Sequence, residues 1–177
     1  MENSRIKNQN RQNALFVYLA CLMRKLLNMA LFRLRMKIDR IWAMPNKKTF
    51  TIKPIAELIK EEILGDYLDP FPYPYQKEAT IYLKESEPKD YGLFDPPYSP
   101  RQLKESYNGK GEYNTKISTW SIWKDLMAEK VKKKCITFGW NSTGLGKKRG
   151  FEITRILLVC HGSMHNDTIC TVEIKNG

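Results

Sequence analysis

The sequence has no apolar run long enough to cross a bilayer. The longest, Ala14–Met23, is followed at once by Arg24-Lys25, whereas a membrane-spanning helix needs about 20 apolar residues. No small-residue cleavage site follows this run, so it does not match a secretory signal peptide. We therefore predict neither a transmembrane segment nor secretion, and the hydrophobic fraction of 42% indicates a globular protein of one domain's length.

Cysteine and histidine are too few for a disulfide framework or a standard zinc site. The four cysteines show no regular spacing: Cys21, Cys135, Cys160 and Cys170. We expect free thiols in a reducing, cytoplasmic compartment. His161 and His165 lie between the last two cysteines, but the spacing of these four residues fits no zinc pattern, so we predict no metal. The segment around His165 has the composition of a turn.

Acidic residues are outnumbered, with 19 Asp and Glu against 30 Lys and Arg, which gives a net charge of +11. This excess favours an anionic partner, with nucleic acid first and a membrane surface second. The charge is uneven, because residues 1–43 hold nine basic and two acidic residues (+7), whereas residues 44–177 hold 21 and 17 (+4). The basic character therefore belongs mainly to the N-terminal part of the chain.

Residues 1–43 are predicted to form a basic, helical N-terminal arm, and residues 44–177 the main domain. Leucines recur at helical spacing between residues 14 and 42. Three interpretations stay open: a helix packed on the domain, a basic amphipathic helix that touches a membrane or a nucleic acid, and a segment foreign to the domain. In the third, Met44 is itself a start of translation.

From residue 49 onward, helical and strand patterns alternate. The apolar and proline pattern predicts these elements: a helix from Lys53 to Ile63, a strand within Ile63–Leu68, a helix within Gln76–Glu85, a strand at Tyr91–Phe94, a helical turn at 101–109, a helix at Ile117–Lys134, a strand at Cys135–Trp140, and a hairpin of Phe151–Cys160 and Thr168–Lys175. Such alternation gives an α/β fold with a mainly parallel sheet, to which the hairpin adds an antiparallel strand.

One tetrapeptide, Asp95-Pro96-Pro97-Tyr98, has the residues for chemistry. It follows an apolar strand directly, and α/β folds place their sites at the carboxyl ends of parallel strands. The prolines stiffen the turn and remove two donors, so the groups expected to point outward are acceptors, the Asp95 carboxylate and the Pro96 carbonyl. Two acceptors suit an amino group on a flat ring, and Tyr98 offers a stacking face. Asp and Pro are also ordinary turn residues.

The chain from Met44 onward resembles the small adenine-specific DNA methyltransferases of bacteria and their phages. The segments that carry the resemblance are Thr51–Ile55, Leu68–Phe71, Phe94–Gln102, Phe138–Ser142, Gly144–Gly150 and Leu158–Glu173. The resemblance covers about three quarters of the chain and implies a Rossmann-like, S-adenosylmethionine-dependent methyltransferase fold. It implies methyl transfer to the N6 amine of adenine in DNA, in a bacterial or phage-infected cell.

The resemblance also assigns residues. Lys53, Pro54, Asp69 and Phe71 become candidates for binding S-adenosylmethionine, and Asp95, Pro96, Pro97 and Tyr98 form the catalytic set. The chain departs from the family pattern because no glycine-rich turn follows Asp69 and no acidic residue for the ribose is evident. Asp95 comes only 26 positions after Asp69, which leaves room for one crossover. One or more strands are therefore expected to be missing, and Glu78 is a possible substitute acid.

DNA is the expected partner, through phosphate contacts from Lys147, Lys148, Arg149 and Arg101. The three basic residues lie in a loop that leaves its strand at the same edge as Asp95. Two alternatives to the adenine methyltransferase remain. One is a nucleic-acid-binding remnant that has lost the cofactor, and the other is an enzyme that methylates guanine amines in RNA. Trp120 and Trp123 are interpreted as core residues because of their helical spacing.

Overall fold

A computed structural model describes residues 18–24, 36–72, 77–98, 117–162 and 165–176. The chain divides into two compact units, Met1–Met36 and Lys37–Gly177. In the first unit, residues 18–24 are helical and exposed. None of the helices in the described ranges has both the length and the apolar character to cross a membrane. All four cysteines are described and are free thiols, as predicted.

The second unit alternates strands and helices. Its elements are β1 (Lys37–Trp42), α1 (Lys53–Glu62), β2 (Tyr67–Leu68), α2 (Ala79–Glu85), β3 (Lys89–Phe94), α3 (Ile117–Lys130), β4 (Val131–Gly139), β5 (Phe151–Cys160) and β6 (Thr168–Lys175). Two short 3₁₀ turns, Thr49–Thr51 and Lys147–Arg149, precede α1 and β5. The predicted bounds of β5 and β6 are confirmed, because both strands are long and rich in β-branched residues.

The described strands form one sheet in the order β1-β5-β6-β4-β3-β2. Three pairs are parallel (β1–β5, β2–β3 and β3–β4), and β6 is antiparallel to both of its neighbours, β4 and β5. The α/β prediction of a mainly parallel sheet that closes with an antiparallel hairpin is thus confirmed. Because β6 lies between β4 and β5, the loop after β4 runs back past the sheet before β5 begins.

Helices cover both faces of the sheet. On one face, α1 buries Ile55 and Leu58 against β-strand residues such as Leu93. On the other, α2 and α3 bury a second cluster, which includes Leu83, Trp123 and Met127. We call these the α1 side and the α3 side. Trp123 is 3% exposed and its indole N–H donates to Thr80 Oγ1 at 3.1 Å, which confirms its interpretation as a core residue. Trp120 is only partly buried.

The helical prediction for residues 37–42 is wrong, because this segment forms β1 and pairs in parallel with β5. The compact unit that contains the sheet therefore begins at Lys37, not at Met44. An ion pair supports the pairing, since Asp39 Oδ2 lies 3.1 Å from Arg155 Nη2. The physical reason is that pairing with a strand distant in sequence overrides the local helical spacing.

The predicted helix at Ile117–Lys134 is too long at its C-terminal end. The helix stops at Lys130, and the lysines predicted to finish it belong to β4, where Lys133 pairs with Asp90 and Lys134 with Glu62. The strand expected within Ile63–Leu68 is shorter, with two residues, Tyr67 and Leu68. Among the described residues no strand lies beyond β2, which agrees with the expectation of a shortened sheet.

Candidate active site

Asp95 follows the last residue of β3, in the interior of the sheet. The Thr49 side chain, in the turn before α1, hydrogen-bonds to the Asp95 carboxyl group. Burial raises the pKa of Asp95 to about 7, although the Thr49 hydrogen bond acts in the opposite direction. Part of the residue stays accessible to solvent, so the buried carboxyl group lies close to a surface that a ligand can reach.

Asp69 provides a second carboxyl group beside the first. It follows β2, and Leu68 pairs with Gly92 on β3, so the two strands end at the same edge. Asp69 Oδ1 accepts a hydrogen bond from the Phe71 N–H at 3.0 Å. Burial nevertheless raises the pKa of Asp69 to about 6, and the charge of Asp69 contributes to the raised pKa of Asp95. The structure therefore brings together two of the predicted site residues from different motifs.

The Asp95 carboxyl group faces the α1 side of the sheet. Its partner Thr49 belongs to the turn that leads into α1. Burial raises the pKa of the Cys170 thiol in the α1-side cluster, and the charge of Asp95 adds to that shift. The expectation that Asp95 simply points outward is therefore incomplete. The two prolines after it, Pro96 and Pro97, are also buried. Burial makes the electrostatic effect of this carboxyl group stronger than it would be at an exposed turn.

Tyr98 lies on the other side of the sheet. Its ring stacks on Trp140, with centroids 5.3 Å apart and an interplanar angle of 29°, and it meets the edge of Trp120 at 5.0 Å. Trp120 belongs to α3, so these contacts place the Tyr98 ring on the α3 side. The four-residue turn therefore directs its acid and its aromatic ring to opposite sides of the sheet edge.

Gly139, the last residue of β4, permits this position of Tyr98. A Cβ atom at residue 139 would lie 2.5 Å from the Tyr98 hydroxyl oxygen and 2.8 Å from its ring. Such distances are far below van der Waals contact, so any side chain here would displace the tyrosine ring. Gly139 is the middle residue of the segment Phe138-Gly139-Trp140.

A cleft opens beside this aromatic group. Its lining includes Tyr98, Trp120, Asn141 and Lys124, an α3 residue that sequence patterns did not single out. Lys124 Nζ donates to the Gly144 carbonyl at 2.6 Å and lies 3.4 Å from Thr143 Oγ1. Burial lowers the pKa of Lys124, and the nearby charge of Arg149 lowers it further. The cleft thus combines aromatic surface with a half-buried amine.

The loop that contributes Asn141 and Gly144 is fixed by a buried carboxylate. Glu173 on β6 accepts hydrogen bonds from Leu145 N at 2.7 Å and Gly146 N at 2.9 Å. Burial raises the pKa of Glu173, and these hydrogen bonds oppose the shift. Gly144 has a φ of 56°, and a Cβ atom there would lie 2.2 Å from the Glu173 carboxyl. The loop wall of the cleft is therefore held rigidly against the sheet.

The cofactor candidates lie near Asp95 to different degrees. Lys53 and Pro54 begin α1, four residues after Thr49, with Lys53 exposed and Pro54 partly buried. Phe71 is 6% exposed and packs edge-on against Phe94 and Trp123, so its ring belongs to the core of the α3 side.

The residues present fit the cationic methionine end of S-adenosylmethionine. Burial and the charge of Asp69 raise the cost of ionising the Asp95 carboxyl group, and an ammonium or sulfonium cation would offset it. Within the described ranges, no strand beyond β2 offers an acid for the ribose hydroxyls. Glu78, the suggested substitute, accepts the Ile81 N–H at 2.9 Å and caps α2.

Of the predicted DNA contacts, Lys147 and Lys148 lie away from this edge, whereas the Arg149 side chain reaches toward the cleft, because its charge adds to the effect of burial in lowering the pKa of Lys124. The turn Lys147–Arg149 directly precedes β5, whose first residue, Phe151, pairs with Lys175 at one end of β6. Gly139, beside the cleft, pairs with Ile169 at the other end of β6. Arg149 is held by Asp125, at 2.6 Å, and by Ser121. Neither Lys147 nor Lys148 forms an ion pair or a side-chain hydrogen bond within the described part of the chain, and both are exposed. Arg101 lies outside the described residues.

Two of the histidine and cysteine residues near the hairpin turn, His161 and Cys160, have structural partners. His161 is buried, with Nδ1 2.8 Å from the Ala43 carbonyl and Nε2 2.9 Å from Thr168 Oγ1. Arg40 Nε donates to Cys160 Sγ at 3.2 Å. The described residues contain no group of three side chains that could hold a metal ion.

Comparisons with known proteins give one kind of match. No protein-family model matches the sequence, and no curated protein sequence is significantly similar to it. Among solved structures, the chain is similar to magnesium protoporphyrin IX methyltransferase (ChlM) from Synechocystis PCC 6803, whose crystal structure contains bound S-adenosylmethionine. The identity is 10% and the TM-score 0.36, over 53% of this chain and 42% of that one. The chain therefore spans less than half the length of that protein.

Proposed function

We propose that this chain transfers a methyl group from S-adenosylmethionine to the exocyclic amine of adenine in DNA. One observation carries the proposal: a buried carboxyl group, Asp95, lies at the carboxyl end of a central parallel strand, with a second carboxyl beside it and an aromatic ring three residues later. This combination matches the requirements of an amine on a flat ring. The choice of adenine and of DNA rests on the resemblance of the Asp95–Tyr98 segment and its neighbours to the adenine methyltransferases.

The chemical task of the site is to make a poor nucleophile react. The lone pair of an adenine amine is delocalised into the ring. Acceptors at Asp95 and the Pro96 carbonyl would draw on its two N–H bonds and favour a pyramidal nitrogen with an available lone pair. Such an interaction is stronger in the transition state than in the ground state, which is what catalysis requires.

Asp95 also suits the removal of a proton. When bound, S-adenosylmethionine supplies a methyl group on a positively charged sulfur, which leaves as a neutral thioether. The nitrogen that forms the new N–C bond must then lose a proton. A carboxylate whose pKa is about 7 can accept that proton near neutral pH, and it would do so from the same position in which it held the N–H. Tyr98 would hold the flipped ring by stacking.

The cofactor and the nucleic acid have separate candidate contacts. Asp69 complements the cationic methionine end, with Lys53 and Pro54 at the start of the neighbouring helix, whereas the Asp95 carboxyl group is kept for the target amine. The net charge of +11 supports an anionic partner. We keep Lys147 and Lys148 as proposed phosphate contacts for a DNA that is long enough to extend from the carboxyl edge of the sheet to its opposite edge. Arg101 and Arg149 are kept in the same role, although Arg149 already has partners in the protein.

The test is methyl incorporation into adenine-containing DNA by the wild type and Asp95→Asn. The asparagine keeps the shape of the side chain but presents a donor to the amine, and the loss of one preorganised site typically lowers turnover by roughly a hundred- to a thousand-fold. DNA binding, measured in parallel, should change far less. Asp90→Asn is the matched control, because Asp90 lies on the same strand and pairs with exposed Lys133. Methylation that survives Asp95→Asn would place the chemistry elsewhere.

A second candidate is a nucleic-acid-binding remnant of such an enzyme. The shortness of the sheet favours this alternative. In the described residues the sheet ends at the two-residue strand β2, so the protein offers no evident acid for the ribose of the cofactor. Calorimetry with S-adenosylmethionine and with its demethylated product separates the two. A wild type that binds DNA but neither form of the cofactor supports the remnant and overturns the enzyme.

A further inference from the structure

We infer that β1 is an interface between two copies of this chain, which pair in antiparallel orientation along β1 and so join their sheets into one. The strand lies at one end of the described sheet, where its described partner is β5. The inference goes beyond the proposed function and is independent of it, because Asp95 follows β3 and three strands lie between β3 and β1.

The outer edge of the β1 backbone is unpaired. In a parallel ladder, alternate residues of a strand turn their N–H and C=O groups toward the same neighbour. The Ala43 N–H donates to the Cys160 carbonyl at 3.0 Å, so the odd-numbered residues of this segment bond to β5. The backbone groups of Ile38, Arg40 and Trp42 therefore point away from β5, and no strand of the described ranges lies there. Such a row of donors and acceptors is a template for another strand.

The charged side chains of β1 do not protect this edge. Charges on an edge strand usually oppose pairing with another chain. Here Lys37 Nζ lies 3.1 Å from Asp39 Oδ2, which also pairs with Arg155 of β5. Arg40 Nε donates to Cys160 Sγ, likewise on β5, at 3.2 Å. All three charged side chains of the strand thus have partners within their own chain.

Large apolar side chains are exposed along the same segment. Ile38 is 64% exposed, Ile41 44%, Trp42 63% and Met44 67%, and such a contiguous apolar patch on a folded chain marks an interaction site. Because side chains alternate along a strand, Ile41 shares the α1 side with Asp39, whereas Ile38 and Trp42 lie on the other face. A partner that docks on one face would cover only part of this set. A strand that pairs with the edge contacts both faces.

One register makes β1 complementary to its own copy. A twofold axis perpendicular to the sheet relates the two strands, so that each face continues into the same face of the other copy. With Ile41 opposite its own copy, the remaining opposite pairs are Arg40 with Trp42, Asp39 with Ala43, and Ile38 with Met44. The first is a favourable cation–π pair, the last is apolar, and no like charges meet. Registers centred on Asp39 or Arg40 bring two like charges together, which is unfavourable.

Analytical ultracentrifugation of the full chain over a range of concentrations tests the inference. We expect the wild type to sediment as a dimer, with twice the 20.8 kDa of the chain. Ile41→Lys should sediment as a monomer, because it places two lysines opposite each other. Ile122→Lys is the matched control and should remain a dimer, because Ile122 is also exposed, at 49%, but lies on α3. Melting temperatures measured for each variant exclude a loss of folding as the cause.

Disulfide cross-linking tests the register, in a full chain that carries Cys21→Ser to remove the exposed thiol. The two copies of residue 41 form a non-hydrogen-bonded pair with Cα atoms about 4.5 Å apart, a distance that a disulfide can bridge. Ile41→Cys should therefore form a covalent dimer on oxidation. The two copies of residue 38 lie six positions apart along the strands, or about 20 Å, so Ile38→Cys should not cross-link. The chain with Cys21→Ser alone controls for Cys160.

Three results would overturn the inference. A wild type that is monomeric at every concentration would mean that the edge serves a strand of another protein or none. A dimer that persists in Ile41→Lys would mean that the copies associate through another surface. Cross-linking of Ile38→Cys as efficient as that of Ile41→Cys would reject the register and with it the pairing of the two strands. None of these measurements depends on methyl transfer, so the dimer and the proposed function can fail separately.

Discussion

The two sides of the Asp95–Tyr98 turn differ in almost every physical property. On the α1 side, the Asp95 carboxyl group is buried and its pKa is raised to about 7, and the nearby Asp69 carboxyl group, with a pKa raised to about 6, adds to that shift. On the α3 side, the rings of Tyr98 and Trp120 and the half-buried Lys124 amine line a cleft, and Trp140 stacks on Tyr98. The comparison teaches that one short turn can direct a buried acid to one side of the sheet edge and an aromatic ring to the other.

The difference follows from where the turn sits in the sheet. Side chains alternate between the faces of a strand, and the prolines keep the chain from relaxing after β3 ends. The Asp95 carboxyl group therefore points toward the turn before α1, whereas the Tyr98 ring reaches the end of β4, where Gly139 leaves room for it. The stability of the acid side depends on electrostatics and should change with pH. The stability of the aromatic side depends on packing and should change with the volume of its side chains.

The largest expected effect concerns the acid side and pH. Both carboxyls have folded-state pKa values above their unfolded value of 3.8, so the folded state binds more protons. Their contribution to stability is fully present below pH 3.8 and is lost as the pH rises through about 6 and 7. Asp95→Asn removes one of these groups. Relative to wild type, the variant should gain stability between pH 4 and 7, by at most about 1.4 kcal/mol per pH unit.

Urea denaturation of wild type, Asp95→Asn and Asp90→Asn between pH 4 and 8 measures this effect. The Asp90 variant should follow the wild type, because Asp90 is exposed and paired with Lys133. In the same interval, methyl transfer by the wild type should rise with pH as Asp95 ionises. A constant stability difference between Asp95→Asn and wild type across this range would show that the carboxyl is not buried as the structure has it.

The acid side was largely predictable from sequence, and the aromatic side was not. Asp69 and Asp95 each follow a short apolar segment, which is a local pattern, and strand ends in an α/β fold meet at one edge. Trp140 ends the predicted strand Cys135–Trp140, but nothing in the sequence shows that its ring stacks on Tyr98, and Lys124 gave no signal. Lys124 lies on a helix with little amphipathic contrast, and its role depends on a loop that is fixed by Glu173 from a strand far along the chain. Only the fold brings these residues together.

The same limit explains the error at β1. Its sequence continues the helical spacing of the preceding residues, and nothing local shows that Arg155, more than 100 positions later, will pair with Asp39. Arg155 also pairs with Glu61 and Glu62 on α1, so ion pairs through Arg155 link β1 to α1. Glu62 in turn pairs with Lys134 of β4 at 2.7 Å.

Truncation gives the next largest effect and tests this assignment. A chain that begins at Lys37 should retain the stability of the full chain, because the compact unit starts there. A chain that begins at Met44 should fold but be less stable, by about 1–3 kcal/mol, because it loses the Asp39 carboxylate and leaves buried His161 without the Ala43 carbonyl. Cooperative urea melts of both chains measure the difference. Equal stabilities would mean that β1 contributes nothing to the sheet.

The smallest expected effect concerns the turn Lys147–Arg149, next to α3 but at the opposite edge from Tyr98. Double substitution of Lys147 and Lys148 by alanine should leave the affinity for a single-stranded DNA of five nucleotides unchanged, because so short a strand at the carboxyl edge of the sheet does not reach the opposite edge. With a duplex longer than the domain, the salt slope should fall by about 0.9 for each phosphate that the variant no longer neutralises. Arg149 is left intact because its bonds to Asp125 and Ser121 hold the loop to α3. If the double variant keeps the duplex affinity and salt slope of the wild type, the turn is a solvated surface, and the path of DNA is confined to the carboxyl edge of the sheet.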